Sequence, residues 1–134
     1  MNRLIKIGCI SLFFFLSMAI QAEATDLSGQ WSGTWKSSKT GHKGPLRCTL
    51  KRIDDSRYQA DFSGRFFKII PFRYSVTLHV QEEGETVTLS GQKNMGFFFG
   101  TFYYSAKADS GSFTASYQSC RDRGQFMMSR CCAF

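Results

Sequence analysis

The sequence predicts an all-β, single-domain protein: an antiparallel meander of about eight strands that closes, or nearly closes, into a small barrel. Apolar and polar residues alternate with a period of two along most of the chain, as they do in strands with one buried face. Short groups of Gly, Asp, Asn and Ser separate these segments, and such residues favour turns. After residue 24 no segment has the apolar spacing of an amphipathic helix. A two-sheet β-sandwich is the alternative.

Residues 1–24 are expected to be a secretory signal peptide. Arg3 and Lys6 precede an apolar stretch, and Ala22-Glu23-Ala24 is a small-x-small cleavage site. Residues 25–134 then form the β-barrel domain of a periplasmic or secreted protein. The chain is 16% aromatic and 20% charged, which excludes a disordered protein. No apolar run reaches the roughly 20 residues of a membrane-spanning helix, so we expect no span after signal cleavage.

Each predicted strand follows from the same alternation. The clearest example begins at Phe72, where every second residue is apolar and the residues between are polar. The predicted strand cores are residues 31–35, 46–50, 58–64, 72–80, 87–89, 97–104, 113–117 and 126–128. One connection, residues 68–71, contains apolar Ile69 and Ile70 where a solvated turn would be polar. We expect a packed bend or bulge there.

The first predicted strand resembles a known motif. Residues 27–35 read LSGQWSGTW and resemble the first strand of calycin-type barrels, the lipocalins and avidins, in which a Gly-x-Trp lies near the mature N-terminus. The resemblance implies that Trp31 packs as a plug at one end of the barrel. Later tryptophans that would stack on biotin are missing, as is the C-terminal helix pattern of lipocalins, so the resemblance implies no ligand.

A second resemblance covers the whole chain after the signal. Residues 64–68, 71–74 and 99–102, which read GRFFK, PFRY and FGTF, are similar to a family of small exported bacterial proteins without an established activity. This resemblance implies an exported single-domain protein and no particular chemistry.

Four cysteines remain after signal removal: Cys48, Cys120, Cys131 and Cys132. An even number in an exported chain suggests disulfides. The meander puts the start of the second strand and the end of the seventh at one end, so we expect a Cys48–Cys120 bond. Cys131 and Cys132 then form a strained vicinal bridge, stay reduced or link two chains. The competing pattern joins Cys48 to one of the terminal cysteines and leaves Cys120 free.

No set of side chains indicates a reaction, and we expect no enzyme. His42 lies in a polar loop and His79 on the wet face of a strand, and nearly all acidic residues lie at turns. The cysteines have no Cys-x-x-Cys spacing, so we expect neither metal nor cofactor.

Positive charge is concentrated in residues 36–57. The basic residues are Lys36, Lys39, Lys43, Arg47, Lys51, Arg52 and Arg57. Such a run is either a solvated strand face or a basic face that binds anionic surfaces outside the cytoplasm. Nucleic acid is not expected, because no aromatic residue interleaves the run to stack on bases.

Aromatic residues exceed what a one-faced core needs. The segment 97–104 has aromatics on both faces, and one face must be core. The other packs beneath the bend at residues 68–71 or forms an exposed patch. The aromatic candidates for a ligand or partner site are Phe66, Phe67, Phe97, Phe98, Phe99, Phe102, Tyr103 and Tyr104.

These observations lead to two hypotheses. The first is an exported, non-catalytic binding module that takes a small apolar ligand in the barrel opening or a protein partner on its aromatic faces. The alternative is an envelope-associated structural protein that binds anionic surfaces through its basic face.

Overall fold

The computed structural model describes residues 25–66 and 69–131, and this part of the chain forms eight β-strands without a helix. The strands are β1 (Gly29–Ser37), β2 (Lys43–Asp54), β3 (Arg57–Phe66), β4 (Ile70–Glu82), β5 (Val87–Asn94), β6 (Thr101–Ala108), β7 (Ser112–Gln118) and β8 (Arg123–Arg130). The predicted signal peptide lies outside the described residues, as do Phe67, Lys68 and Cys132.

The strands follow one another around a closed barrel. Each strand pairs antiparallel with the next, and β1 also pairs with β8, with Trp31 opposite Arg130 and Trp35 opposite Phe126. The predicted meander that closes into a barrel is confirmed, and the sandwich alternative is wrong. Pairing of the first strand with the last leaves no full-length edge strand exposed to solvent.

Glycine allows β1 and β8 to approach closely at this closing seam. A Cβ atom on Gly33 would collide with the backbone carbonyl of Met127 and would lie 2.7 Å from the Cα atom of Met128. Any larger residue at position 33 would push the two strands apart.

The two ends of the barrel differ. We call the end with the β1–β2, β3–β4, β5–β6 and β7–β8 connections the mouth. We call the opposite end, with the other three connections and residues 25–28, the base. Strands alternate in direction in a meander, so successive connections alternate between mouth and base.

Residues before β1 cover the base. Leu27 is fully buried, and its carbonyl oxygen accepts a hydrogen bond of 3.0 Å from Nε1 of Trp31. The guanidinium of Arg130 lies over the Trp31 ring, 4.6 Å from its centroid. The same group donates to the carbonyl oxygens of Ser28 at 2.7 Å and Asp26 at 2.9 Å. Trp31 therefore packs at the base with the segment that precedes β1.

One ladder of the barrel is short. β4 pairs with β3 over its mouth half, from Phe66 opposite Ile70 to Gln59 opposite Thr77. Its ladder with β5 starts only at Leu78, opposite Gly91. Between Leu78 and the mouth, β4 and β5 therefore form no ladder with each other. The β3–β4 and β5–β6 hairpins extend side by side there without ladder hydrogen bonds between them.

The expected Cys48–Cys120 disulfide is wrong, because Cys48, Cys120 and Cys131 are all free thiols. β2 begins at Lys43 rather than near Leu46, which places Cys48 roughly 16 Å from the mouth along the strand. Cys120 lies exposed in the β7–β8 connection at the mouth. A disulfide requires Cα atoms within about 7 Å. A bond from Cys48 to Cys131 is wrong for another reason: β1 lies between the two residues, Cys48 is buried, and Cys131 is exposed with its Sγ 3.4 Å from Oγ of Ser32.

Candidate functional site

The β5–β6 connection is a tight turn closed by two glycines. Gly96 and Gly100 have positive φ angles of 92° and 68°, which glycine adopts without a steric penalty. The N–H of Met95 donates to the carbonyl oxygen of Gly100, and the N–H of Gly100 donates to that of Gly96, both at 2.9 Å. β6 therefore begins at Thr101, and the prediction of a strand that starts at Phe97 is wrong.

This turn carries three consecutive phenylalanines into solvent. Phe97, Phe98 and Phe99 are 95%, 74% and 58% exposed. The rings of Phe97 and Phe98 meet edge to face with centroids 5.8 Å apart. Of the two alternatives for the second aromatic face, the exposed patch is therefore correct for these three residues.

The β3–β4 hairpin presents further apolar side chains at the same end. Ile69 is 80% and Ile70 is 53% exposed, so the expected packed bend is wrong. The N–H of Ile69 donates to the carbonyl oxygen of Phe66 at 3.1 Å, and this short turn leaves both isoleucines in solvent. Phe66 lies at the edge of the core, with its ring 4.7 Å from that of Trp35.

These two hairpins are neighbours, because β4 and β5 are adjacent in the barrel. Together they form what we call the apolar rim: Phe66, Ile69, Ile70, Phe97, Phe98 and Phe99. The described chain has three other exposed large apolar side chains, Ile53, Tyr103 and Met127, and these lie apart from the rim. Single exposed apolar residues are normal on protein surfaces, whereas a cluster marks an interaction site.

Aromatic rings fill the interior beneath the rim. The ring of Phe62 lies 5.3 Å from that of Tyr74 and 5.4 Å from that of Phe126, and Tyr104 lies 6.1 Å from Phe126. Desolvation by burial raises the pKa of Tyr74 and Tyr104, so both phenols are neutral. The stacked rings occupy the space in which a ligand would enter the barrel, which favours contact at the rim over binding inside.

Two open grooves lie elsewhere, on the outer wall of β5–β8, with volumes of about 610 and 440 Å³. Polar side chains such as Thr88 and Thr114 line the larger groove. Tyr103, one of the predicted aromatic residues, lines the smaller groove and is 58% exposed. Of the other two predicted aromatics in β6, Tyr104 is buried and Phe102 is half-buried.

Basic residues surround the mouth. Among the described residues this end has eight lysines and arginines: Lys36, Lys39, Lys43, Arg65, Arg73, Lys93, Arg121 and Arg123. Its one acidic residue in the described chain, Asp122, accepts hydrogen bonds from Oγ of Ser37 at 2.6 Å and from the hydroxyl of Tyr117 at 3.2 Å. The mouth is therefore strongly positive.

The base has the opposite balance. Its acidic residues in the described chain are Asp26, Asp54, Asp55, Glu82, Glu83, Glu85 and Asp109. Two members of the predicted basic face lie here: Arg57 pairs with Asp54 at 2.7 Å and Arg52 approaches Asp55 at 4.0 Å. The hydrogen bond from Arg57 lowers the pKa of the Asp54 carboxyl to about 2.

The structure thus divides the predicted basic face. Lys36, Lys39 and Lys43 lie at the mouth, while Arg47 lies midway along β2. Nζ of Lys51 lies 3.9 Å from a carboxylate oxygen of Asp61. β2 runs from mouth to base, so a contiguous basic run in sequence does not become a contiguous surface.

Sequence reasoning missed several residues of the mouth. The sequence predicts a packed bend at Ile69 and Ile70, and it does not connect the other mouth residues with a site: Arg65, Arg73, Lys93, Arg121 and Arg123. The order of the turns in the sequence contains the missing information, because every second turn of a meander lies at the same end of the barrel. The first, third, fifth and seventh connections therefore share one end, and this places the exposed apolar residues and the basic residues at the mouth together.

No cluster of three or more His, Cys, Asp or Glu side chains is arranged to hold a metal ion in residues 25–66 and 69–131. Over the same ranges, no helix has the length and apolarity needed to cross a membrane.

Comparisons with known proteins were made at the level of both sequence and structure. Neither a protein-family model, nor a curated protein, nor a solved structure matches this chain significantly.

Proposed function

We propose that this protein is an exported, non-catalytic binding module that contacts its partner through the apolar rim at the mouth. The observation that carries the proposal is the presence of six exposed apolar side chains on two hairpins that are neighbours in the barrel. Exposed clusters of this kind are costly in water and are typical of interaction surfaces. Export follows from the predicted signal peptide and remains part of the proposal.

The packing beneath the rim supports a surface contact rather than an enclosed ligand. Phe72 and Tyr74 stack with centroids 6.0 Å apart, and Phe102 lies 5.9 Å from Tyr117. A partner would therefore contact the exposed apolar side chains of the rim, and closely packed aromatic rings lie beneath them. Attachment through a single basic face over residues 36–57 is less well supported, because Arg52 and Arg57 lie at the base beside aspartates.

The test uses a neutral apolar fluorescent probe, N-phenyl-1-naphthylamine, and protein recovered from the periplasm of an expression host. A triple variant, Phe97→Ser with Phe98→Ser and Phe99→Ser, removes the β5–β6 part of the rim. We expect the natural protein to enhance the probe's emission and the triple variant to lose most of that enhancement, since apolar surface binds the probe.

The matched control removes exposed apolar side chains elsewhere. Ile53→Ser with Met127→Ser changes residues that are 46% and 60% exposed and lie away from the rim. This variant should bind the probe as the natural protein does. Equal loss in both variants, or no enhancement by the natural protein, would refute the rim as a binding surface, and failure to recover the protein from the periplasm would refute export.

A further inference from the structure

We propose that the partner of the mouth is an anionic lipid bilayer, on which the protein docks with the apolar rim at the level of the lipid headgroups. This inference rests on the proposed function, because it assigns a chemical class to the partner of the same surface. Three features of the mouth support it: the shape of the rim, the charges around it and the polarity of the whole barrel.

The rim is convex. Its phenylalanines and isoleucines lie at the tips of two hairpins, with Phe97 and Ile69 the most exposed. Tips of this kind fit a deformable surface that they enter, while a groove would fit an inserted peptide. Apolar side chains of peripheral proteins enter the boundary between headgroups and acyl chains by about 5 to 10 Å.

Basic residues lie just behind these tips. Arg73 is three residues along β4 from Ile70, and three strand residues span roughly 10 Å. Lys93 is the penultimate residue of β5, directly before the turn that carries the phenylalanines. With the tips among the headgroups, these cations would lie at the level of the lipid phosphates. Anionic headgroups attract such residues and strengthen binding by about fivefold for each one.

The charge distribution also orients the molecule. The mouth has eight basic residues and one acidic residue in the described chain, whereas the base has seven acidic residues together with four basic ones, Arg52, Arg57, Lys107 and Arg130. A negative surface therefore attracts the mouth more strongly than the base, which turns the barrel axis toward the bilayer normal. The chemistry favours a lipid over an anionic polysaccharide, because a polysaccharide offers positive charges a partner but gives the phenylalanines little apolar environment.

The experiment measures flotation of the protein with vesicles of two compositions. One is phosphatidylcholine alone, and the other contains about 30% phosphatidylglycerol. We expect binding to the anionic vesicles, weak binding to the neutral ones, and release at about 0.5 M salt, where charge contacts are screened. The triple serine variant should lose binding to both.

A pair of charge variants locates the electrostatic contact. Lys39→Gln with Lys93→Gln removes two mouth charges, and Lys51→Gln with Lys107→Gln removes two charges outside the mouth. We expect the first variant to bind anionic vesicles about 25-fold more weakly, and the second to stay within about twofold of the natural protein. All four side chains are on exposed residues, and circular dichroism of each variant checks that the barrel is intact.

The outcomes separate this inference from the proposed function. Equal binding to neutral and anionic vesicles would refute the requirement for anionic lipid. No vesicle binding, with the apolar probe still bound at the rim, would refute a lipid partner and indicate a protein partner for the same surface. Loss of probe binding as well would refute the proposed function itself. Equal weakening by the two charge variants would refute docking by the mouth.

Discussion

Cys48 illustrates how burial determines the chemistry of a single side chain. Its thiol lies in the core with 2% of the residue exposed, and desolvation raises the pKa to about 12. Alkylation requires the thiolate, so iodoacetamide at about pH 8 should modify Cys120 in the native protein and leave Cys48 unmodified until the chain unfolds. Peptide mass mapping after alkylation with and without urea measures both reactions.

The same mapping under non-reducing conditions tests the cysteine assignment. Modification of Cys48 in the native protein would contradict its burial. A disulfide-linked peptide that contains Cys48 and Cys120 would show that the bond expected from the sequence does form. Alternation with Leu46 and Leu50 correctly placed Cys48 on the inner face. The distance of Cys48 from the mouth could not be predicted from the sequence. It depends on where β2 begins, and therefore on how few residues form the β1–β2 connection.

At the scale of strands, the closing seam between β1 and β8 depends on Gly33. In a Gly33→Ala variant the new methyl group would meet the Met127 carbonyl, and the strands would have to separate. We expect the free energy of unfolding to fall by about 1 to 3 kcal/mol, the usual range for overpacking. Urea denaturation measures this change.

The control for this variant is Gly84→Ala in the β4–β5 turn. There the nearest atom to an added Cβ is the Thr86 carbonyl oxygen at 3.8 Å, which is ordinary contact. Gly84→Ala should therefore leave the stability close to that of the natural protein. If Gly33→Ala proved as stable as Gly84→Ala, the close approach of β1 and β8 would not limit the residue at position 33.

Period-two alternation predicted most strands because one face of each contacts the core. It failed at residues 97–99, where aromatic side chains favour a strand but Gly96 and Gly100 close a turn around them. Alternation also says nothing about which end of the barrel a residue occupies. The basic run over residues 36–57 therefore predicts a single face, although β2 extends from the mouth to the base and separates its residues.

For the whole molecule, the separation of charge predicts how stability depends on pH. Asp26, Asp54 and Asp109 at the base have lowered pKa values, because Arg57 donates a hydrogen bond to Asp54 and backbone N–H groups donate to the other two. The stability that they contribute is complete above the unfolded pKa of about 3.9. It is lost as the pH falls through the folded values, down to about 2 for Asp54.

Urea midpoints measured at about pH 6 and about pH 3 should therefore show a less stable protein at the lower pH. An Asp54→Asn variant should lose less stability between the two conditions than the natural protein does. Lys39→Gln, a change of an exposed residue at the mouth whose side chain does not titrate between these pH values, should keep the full acid dependence. An identical loss in Asp54→Asn and the natural protein would mean that the Asp54 carboxylate does not stabilise the fold.

The short β4–β5 ladder has a consequence for self-association. The mouth half of β4 is the longest stretch of the described strands that comes close to an edge strand, because the ladders pair residues 70–77 with β3 and not with β5. Edge strands invite a strand from another molecule to add on, and proteins deter such addition with proline and with charged side chains. Pro71, which cannot donate a backbone hydrogen bond, and exposed Arg73 lie within this stretch. These two residues disfavour the addition of a strand from another molecule along the part of β4 that lacks a ladder with β5.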